Sequence, residues 1–279
     1  MTGGQLYVGV TREKIYSERP INITTRSSPA RIGAETRPVN TNFHRPTSHA
    51  YMLMRTYDTE CEIPEGEKLS QIEVDPTHVA SRETVEDLVR NDRLVVVTDH
   101  LSPDFRKPHP KLSYLHMYEN GVVLHLGRLL RKYKGGTLHI GQNNDSCFEL
   151  IDIAEIIREM GKRTRNAISL AYMIEPCRFH LGETYESVGL PDDYAVMLEK
   201  IHGDWLRGNI DSHAPLVAAG SPVHKIVYEL YFPDGMAVHE GMAIGQMNLH
   251  ALDQKPEKPY RGRYTGQSDV QTSLSHHGL

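Results

Sequence analysis

Cysteine is scarce in this chain: Cys61, Cys147 and Cys177 stand far apart, an odd three among 279 residues. That excludes a disulfide framework and reads as reduced thiols in a cytoplasmic setting. No apolar run approaches the roughly 20 residues that a bilayer-spanning helix needs, and the opening MTGGQLYVGVTREK lacks the apolar stretch of a signal peptide. A soluble protein with no membrane partner is expected. A basic surplus is missing too: 31 Lys+Arg face 36 Asp+Glu, for a net charge of -5. Binding to nucleic acid is therefore not expected, because phosphate backbones call for a basic surface. HExxH, paired CxxC, GxGxxG and Walker A patterns are all absent, so the motifs give no support for a metal, nucleotide or other cofactor. Among the 16 histidines, His239-Glu240 with His250 is the best-spaced metal candidate, yet without a motif it reads as surface or core histidine.

Hydrophobic residues make up 39% of the chain and the mean hydropathy is -0.47. That is polar for a compact enzyme, which implies that part of the chain lies outside a core. Residues 17–48 hold four prolines, many Ser, Thr and Asn, and almost no large apolar side chains. Such a stretch buries too little surface to offset the entropy of ordering it. An N-terminal arm over 1–48, a core over 49–252 and a polar tail over 253–279 follow. The basic and aromatic cluster at Lys258 to Tyr264 reads as part of a solvated tail.

Within the core, residues 49–57 alternate like a strand, and Asp75-Pro76 opens a helix through Val79, Val85, Leu88 and Val89. Leu94 to Val97 is a short β-branched run of the kind buried on both faces of a parallel sheet. Val122, Val123, Leu126, Leu129, Leu130 and Tyr133 recur at helical intervals up to Gly135-Gly136. Thr137 to Ile140 forms the next strand. Ser146 and Glu149 have the capping-box spacing for a helix over 147–161, and Ala167 to Ile174 is a third strand that Pro176 stops. A further helix over 192–206, capped by Asp192-Asp193, a strand at 214–219, and a hairpin of HKIVYELYF and MAVHEG around Pro233-Asp234-Gly235 complete the expectation. Strand and helix in alternation predict an α/β fold: a mostly parallel sheet with helices on both faces.

In such sheets, reactive groups gather at the carboxyl ends of the strands. Those ends carry Asp99-His100, then His139 to Asn143, then Glu175-Pro176-Cys177-Arg178. A thiolate is the reactive form of cysteine, and a nearby His or Arg stabilises it. The block Ala171-Tyr172-Met173-Ile174-Glu175-Pro176-Cys177-Arg178 resembles the nucleophile strand of caspase-like cysteine proteases of the legumain and toxin-autoprocessing type, over about residues 90–240. The resemblance implies a peptidase with Cys177 as nucleophile, His139 or His100 as base, and backbone amides near Gly141 stabilising the oxyanion. The expected His-Gly pair is absent, because His139 is followed by Ile140 and His100 by Leu101. The partner of such an enzyme would be a protein or peptide substrate. The competing reading is a non-enzymatic assembly component, for example of a virus particle, whose arms order against neighbouring subunits.

Overall fold

The computed structural model describes residues 6–15, 21–25, 31, 34–38, 48–56, 59–63, 70–74, 78–98, 117–118, 121–140, 142–163, 171–200, 209–211, 216–258, 267 and 270. Strands dominate them. β1 (Leu6–Ile15), β3 (Ala34–Pro38) and β4 (Ser48–Thr56) form one antiparallel sheet in the order β1-β4-β3. β2 (Ile21–Thr25) pairs with β6 (Ser70–Val74). β5 (Glu60–Glu62) pairs in parallel with β11 (Thr137–His139). β13 (Tyr172–Ile174) pairs antiparallel with β19 (Met236–Val238).

The principal sheet has eleven strands. Its path joins β16 (Asn209–Asp211), β18 (His224–Tyr231), β14 (Phe179–Gly189), β10 (Gly121–Tyr133), β20 (Ala243–Ala251), β15 (Tyr194–Lys200) and β17 (Leu216–Val217) in that order. β7 (His78–Val79) adds to β20, β8 (Val95–Thr98) to β14, and β9 (Met117–Tyr118) and β12 (Phe148–Asp152) to β10. Every pairing in it is antiparallel. Two α-helices occur among the described residues, α1 (Arg82–Arg90) and α2 (Ile153–Arg163). Neither is long and apolar enough to cross a membrane.

The parallel α/β sheet expected from the sequence is thus corrected to a mostly antiparallel β architecture, and the reason is burial. β10 occupies the segment expected as a helix over 119–134. Its residues are buried on both faces along much of its length, so its apolar positions lose the period of two and fall at intervals that imitate a helix. The same happens at β15, where a helix over 192–206 was expected; residues 201–206 lie outside the described set. Asp192 and Asp193 accordingly cap no helix. They pair with Lys255 and Arg93 in the turn before β15.

The two helices that form begin later than expected. Ser81 caps α1, its Oγ accepting from the Thr84 amide at 3.3 Å, whereas Asp75-Pro76 lies outside the described residues. Val85, Leu88 and Val89 are buried, as the stripe requires. Phe148 to Asp152 is a strand rather than the first turn of a helix, and Asp152 then accepts the Glu155 amide at 3.0 Å at the start of α2. Pro233-Asp234-Gly235 does turn the chain, with Gly235 at φ +74°. β19 nevertheless leaves β18 to pair with β13, so no hairpin forms.

Two apolar clusters cover the two faces of the central strands. Ile226, Tyr228 and Leu230 of β18 join Leu126 and Leu130 of β10 in the larger one. Gly182 lies against it, because a Cβ there would come within 2.9 Å of Leu126 and Leu230 side-chain carbons. Val227 and Tyr231 of β18 pack with Phe179, Leu181, Tyr133 and Phe148 in the smaller one. Each fully buried leucine contributes about 1.5–3 kcal/mol by leaving water.

Candidate functional site

A strand covered on both faces is a costly place for charge, unless the charge is paired and hydrogen-bonded. β14 and β18 carry four charged residues that are nearly inaccessible: Glu183, Glu186, Lys225 and Glu229. Alternation from Phe179 and Leu181 puts Glu183 on the face of the smaller cluster. Alternation from Val227 and Tyr231 puts Lys225 and Glu229 on that same face. Register agrees, with Val227 opposite Glu183 and Leu181 opposite Glu229.

A bulge between Glu183 and Ser187 organises the centre of this face. Thr184 supplies the bonds that the broken ladder loses: its Oγ1 donates to the Glu186 carbonyl at 2.6 Å and accepts from the Ile226 amide at 3.0 Å. The Lys225 ammonium donates to Glu183 Oε1 at 3.1 Å and to the Thr184 carbonyl at 3.2 Å. Glu186 turns to β10 instead, accepting the His125 amide at 2.9 Å and lying 2.6 Å from His125 Nδ1.

Residues remote in sequence bond to β18 and pack into the smaller cluster. The Lys225 amide donates to the Gln267 carbonyl at 2.8 Å, and Gln267 Nε2 donates back to the Lys225 carbonyl at 3.2 Å. Arg31 Nη2 donates to Gln267 Oε1 at 2.8 Å. Val270 is buried in the smaller cluster, and its carbonyl accepts from Arg131 Nε at 2.5 Å. The tail therefore does not run wholly in solvent: Gln267 and Val270 are both buried. The positive charge of Arg31 reaches His224, next to Lys225. Burial above all, and Arg31 in addition, holds that imidazole below its ordinary range.

A buried guanidinium, an amide and buried carboxylates in one place can bind a polar, anionic small molecule and move protons. Arg31, Glu183, Lys225, Glu229 and Gln267 were not among the residues singled out from sequence. Signals existed: Lys225 and Glu229 interrupt an apolar β-branched strand, and Arg31 ends the run Arg26-Ser27-Ser28-Pro29-Ala30-Arg31, whose guanidinium and hydroxyl groups suit a phosphate.

The residues that were singled out lie elsewhere. Cys177 is exposed, in a turn at φ +54°, with its Sγ 3.5 Å from the Pro233 carbonyl. His139 Nδ1 lies 3.1 Å from Glu62 Oε2 on the two-stranded parallel sheet. The structure brings neither to the other, and His100 and Gly141 lie outside the described residues. His239 is exposed, its Nδ1 2.8 Å from the Glu240 carbonyl. No group of three or more His, Cys, Asp or Glu fit to hold a metal occurs among the described residues.

No family model matches the chain. A dCTP deaminase (dUMP-forming) of Sulfurihydrogenibium sp. (strain YO3AOP1) is 29% identical over 188 residues, which cover 67% of this chain and 96% of that protein. One from Beutenbergia cavernae is 31% identical over 137 residues, covering 46% of this chain and 71% of that protein. The crystal structure of 2'-deoxycytidine 5'-triphosphate deaminase from Agrobacterium tumefaciens superposes with a TM-score of 0.67 at 15% identity, covering 92% of this chain and 76% of that one. These relatives overturn the caspase-like resemblance, the cysteine-peptidase reading and the assembly alternative. A short apolar strand ending in cysteine is common to many sheets and carried too little information to identify a family.

Proposed function

Because this chain belongs to the dCTP deaminase family, we propose that it hydrolyses the 4-amino group of dCTP, with Glu229 as the group that moves protons. Water adds through oxygen to C4 of the cytosine ring while a carboxylate takes one water proton and delivers it to N3. A second proton passes to the departing nitrogen, the C4–N4 bond breaks, and ammonia leaves behind a uracil ring. A buried carboxylate suits this work, because burial brings its affinity for protons towards the working pH.

Three buried glutamates are available. Glu183 holds Lys225, and Glu186 gives both oxygens to His125. Glu229 lies on β18, next to β16 at the end of the sheet's strand path, and is the residue we assign. Arg31 is the cation for the phosphates or the base carbonyl, and its planar fork of donors suits either. The single observation that carries the reading is this set of buried polar groups, Arg31 bonded to Gln267 beside β18 and the carboxylates of β14 and β18, in a chain whose relatives are dCTP deaminases.

Incubating the purified chain with dCTP should release ammonia in step with a deoxyuridine nucleotide, and chromatography would separate dUTP from dUMP. A chain that frees no ammonia from dCTP at any pH in the neutral range would defeat the proposal.

A further inference from the structure

One pattern of strands occurs twice along this chain. In the first unit β4 runs between β1 and β3, and β2 pairs with β6. In the second unit β18 runs between β14 and β16, and β15 pairs with β20. These strands follow one another in the same order along the chain, and each of the six pairings is antiparallel.

The match extends to an irregularity. The ladder of β1 with β4 shifts register between Val10 and Lys14, and that of β14 with β18 between Glu183 and Ser187. Val10 and Lys14 stand opposite Tyr51 and His49, while Glu183 and Ser187 stand opposite Val227 and Lys225, so both shifts have the same span on both strands. A bulge is a specific feature of a fold rather than a defect. Sequence agrees at this point: Gly9-Val10-Thr11-Arg12-Glu13 and Gly182-Glu183-Thr184-Tyr185-Glu186 share Gly-x-Thr-x-Glu. It agrees again at the entry to β6 and β20, where Glu65-Gly66 and Glu240-Gly241 each precede a glutamine, Gln71 and Gln246, by the same interval.

The backbone is repeated but the chemistry is not. Register puts Val10 at the place of Glu183 and His49 at the place of Lys225. Val8 pairs with Leu53 as Leu181 pairs with Glu229, so Leu53 takes the place of Glu229. Neither valine nor leucine can carry a proton. The first unit contributes in another way, because Arg31, in the segment between β2 and β3, donates to Gln267, which is bonded to the main chain of Lys225 on β18.

We propose that the chain is an internal duplication carrying one nucleotide site rather than two. The second unit supplies the proton-transfer carboxylate and the first supplies the guanidinium, while the face of the first unit that matches β14 and β18 binds no nucleotide. This division of labour rests on the reading of Glu229 and Arg31 as groups that meet dCTP.

Equilibrium dialysis with dCTP counts the sites. Two proteins are used: Glu229→Gln, in which the nucleotide stays unconverted, and the parent on ice, with the bound nucleotide identified by chromatography. One nucleotide per chain is expected, and two per chain overturns the proposal. Arg31→Ala should weaken binding by about 10–100-fold, the usual loss of a charge-assisted hydrogen bond. His49→Gln, at the position matching Lys225, should leave affinity and ammonia release within about twofold of the parent. Binding that is indifferent to Arg31→Ala, or lost in His49→Gln, also overturns the proposal. If Arg31→Ala does not fold, Arg31→Lys keeps the charge and removes the planar fork; it should still weaken binding, and an unchanged affinity would be equally decisive.

The outcomes separate this inference from the deaminase reading. One bound nucleotide per chain that depends on Arg31, with no ammonia released, would sink the deaminase reading and keep the single shared site. Ammonia release from a chain that binds two nucleotides would do the reverse. A chain that binds no dCTP would sink both.

Discussion

The turn at Cys177 and the polar face of β14 and β18 differ in what surrounds their reactive groups. Cys177 is exposed, and its thiol meets only a main-chain carbonyl. Glu183, Lys225 and Glu229 are shut away from water, and Gln267, itself bonded to Arg31, holds the main chain of Lys225. A reactive side chain at the end of a strand is not a site by position alone. Burial and convergent partners give a side chain altered chemistry, and here they lie in the middle of strands.

Breaking this contrast begins with Glu229. Glu229→Gln should lower ammonia release from dCTP by about 10²–10⁴-fold, the usual loss on removing a general acid–base group, measured as kcat at saturating nucleotide. A residual rate close to the parent's would return the search to Glu183 and Glu186.

The next largest effect concerns stability. Burial holds His180 neutral and pushes it down to about 4; the backbone bond to the Arg178 carbonyl opposes this, and the Lys132 charge adds to it. In the unfolded chain an imidazole titrates near 6.5. Below that pH the unfolded state binds a proton that the folded state refuses, so stability is complete above about pH 6.5 and falls towards pH 4. The integrated loss is roughly 3 kcal/mol. Urea unfolding across that window should show the decline, and His180→Phe should flatten it.

Gly245 tests how tightly the opposite face is packed. A Cβ at that position would come 2.4 Å from the Tyr228 hydroxyl, so Gly245→Ala should cost about 1–3 kcal/mol through overpacking. A lower urea midpoint with an unchanged slope is the expected signature.

The smallest effects sharpen the comparison from the other side. Burial pushes the Cys61 thiol up to about 11, so iodoacetamide should label exposed Cys177 long before Cys61, as peptide mass spectrometry would reveal. Cys177→Ser should change stability by less than about 0.5 kcal/mol and leave ammonia release intact.

Much of the local structure was legible. The alternation at 49–57 corresponds to β4, the β-branched run at 94–97 to β8, and the stripe of Val85, Leu88 and Val89 to α1. Strands buried on both faces were where the reading failed. In β10 and β15 no polar face remains to display a period of two, and the apolar positions imitate a helix. The chemistry was hidden for a related reason. The partner of Arg31 is Gln267, and that of Glu183 is Lys225, contacts that no local pattern encodes.

By itself the sequence determined the sparse reduced cysteines, the absence of a long apolar helix, and short β-branched segments that had to be strands. Those properties depend on composition and on neighbours a few residues apart. Tertiary structure decided that the principal sheet is antiparallel, that Cys177 faces solvent, that Glu183, Lys225 and Glu229 share one face, and that Gln267 and Arg31 lie bonded beside β18. Pairing and burial between distant segments set these, because the stability and the proton affinity of a charge depend on what encloses it.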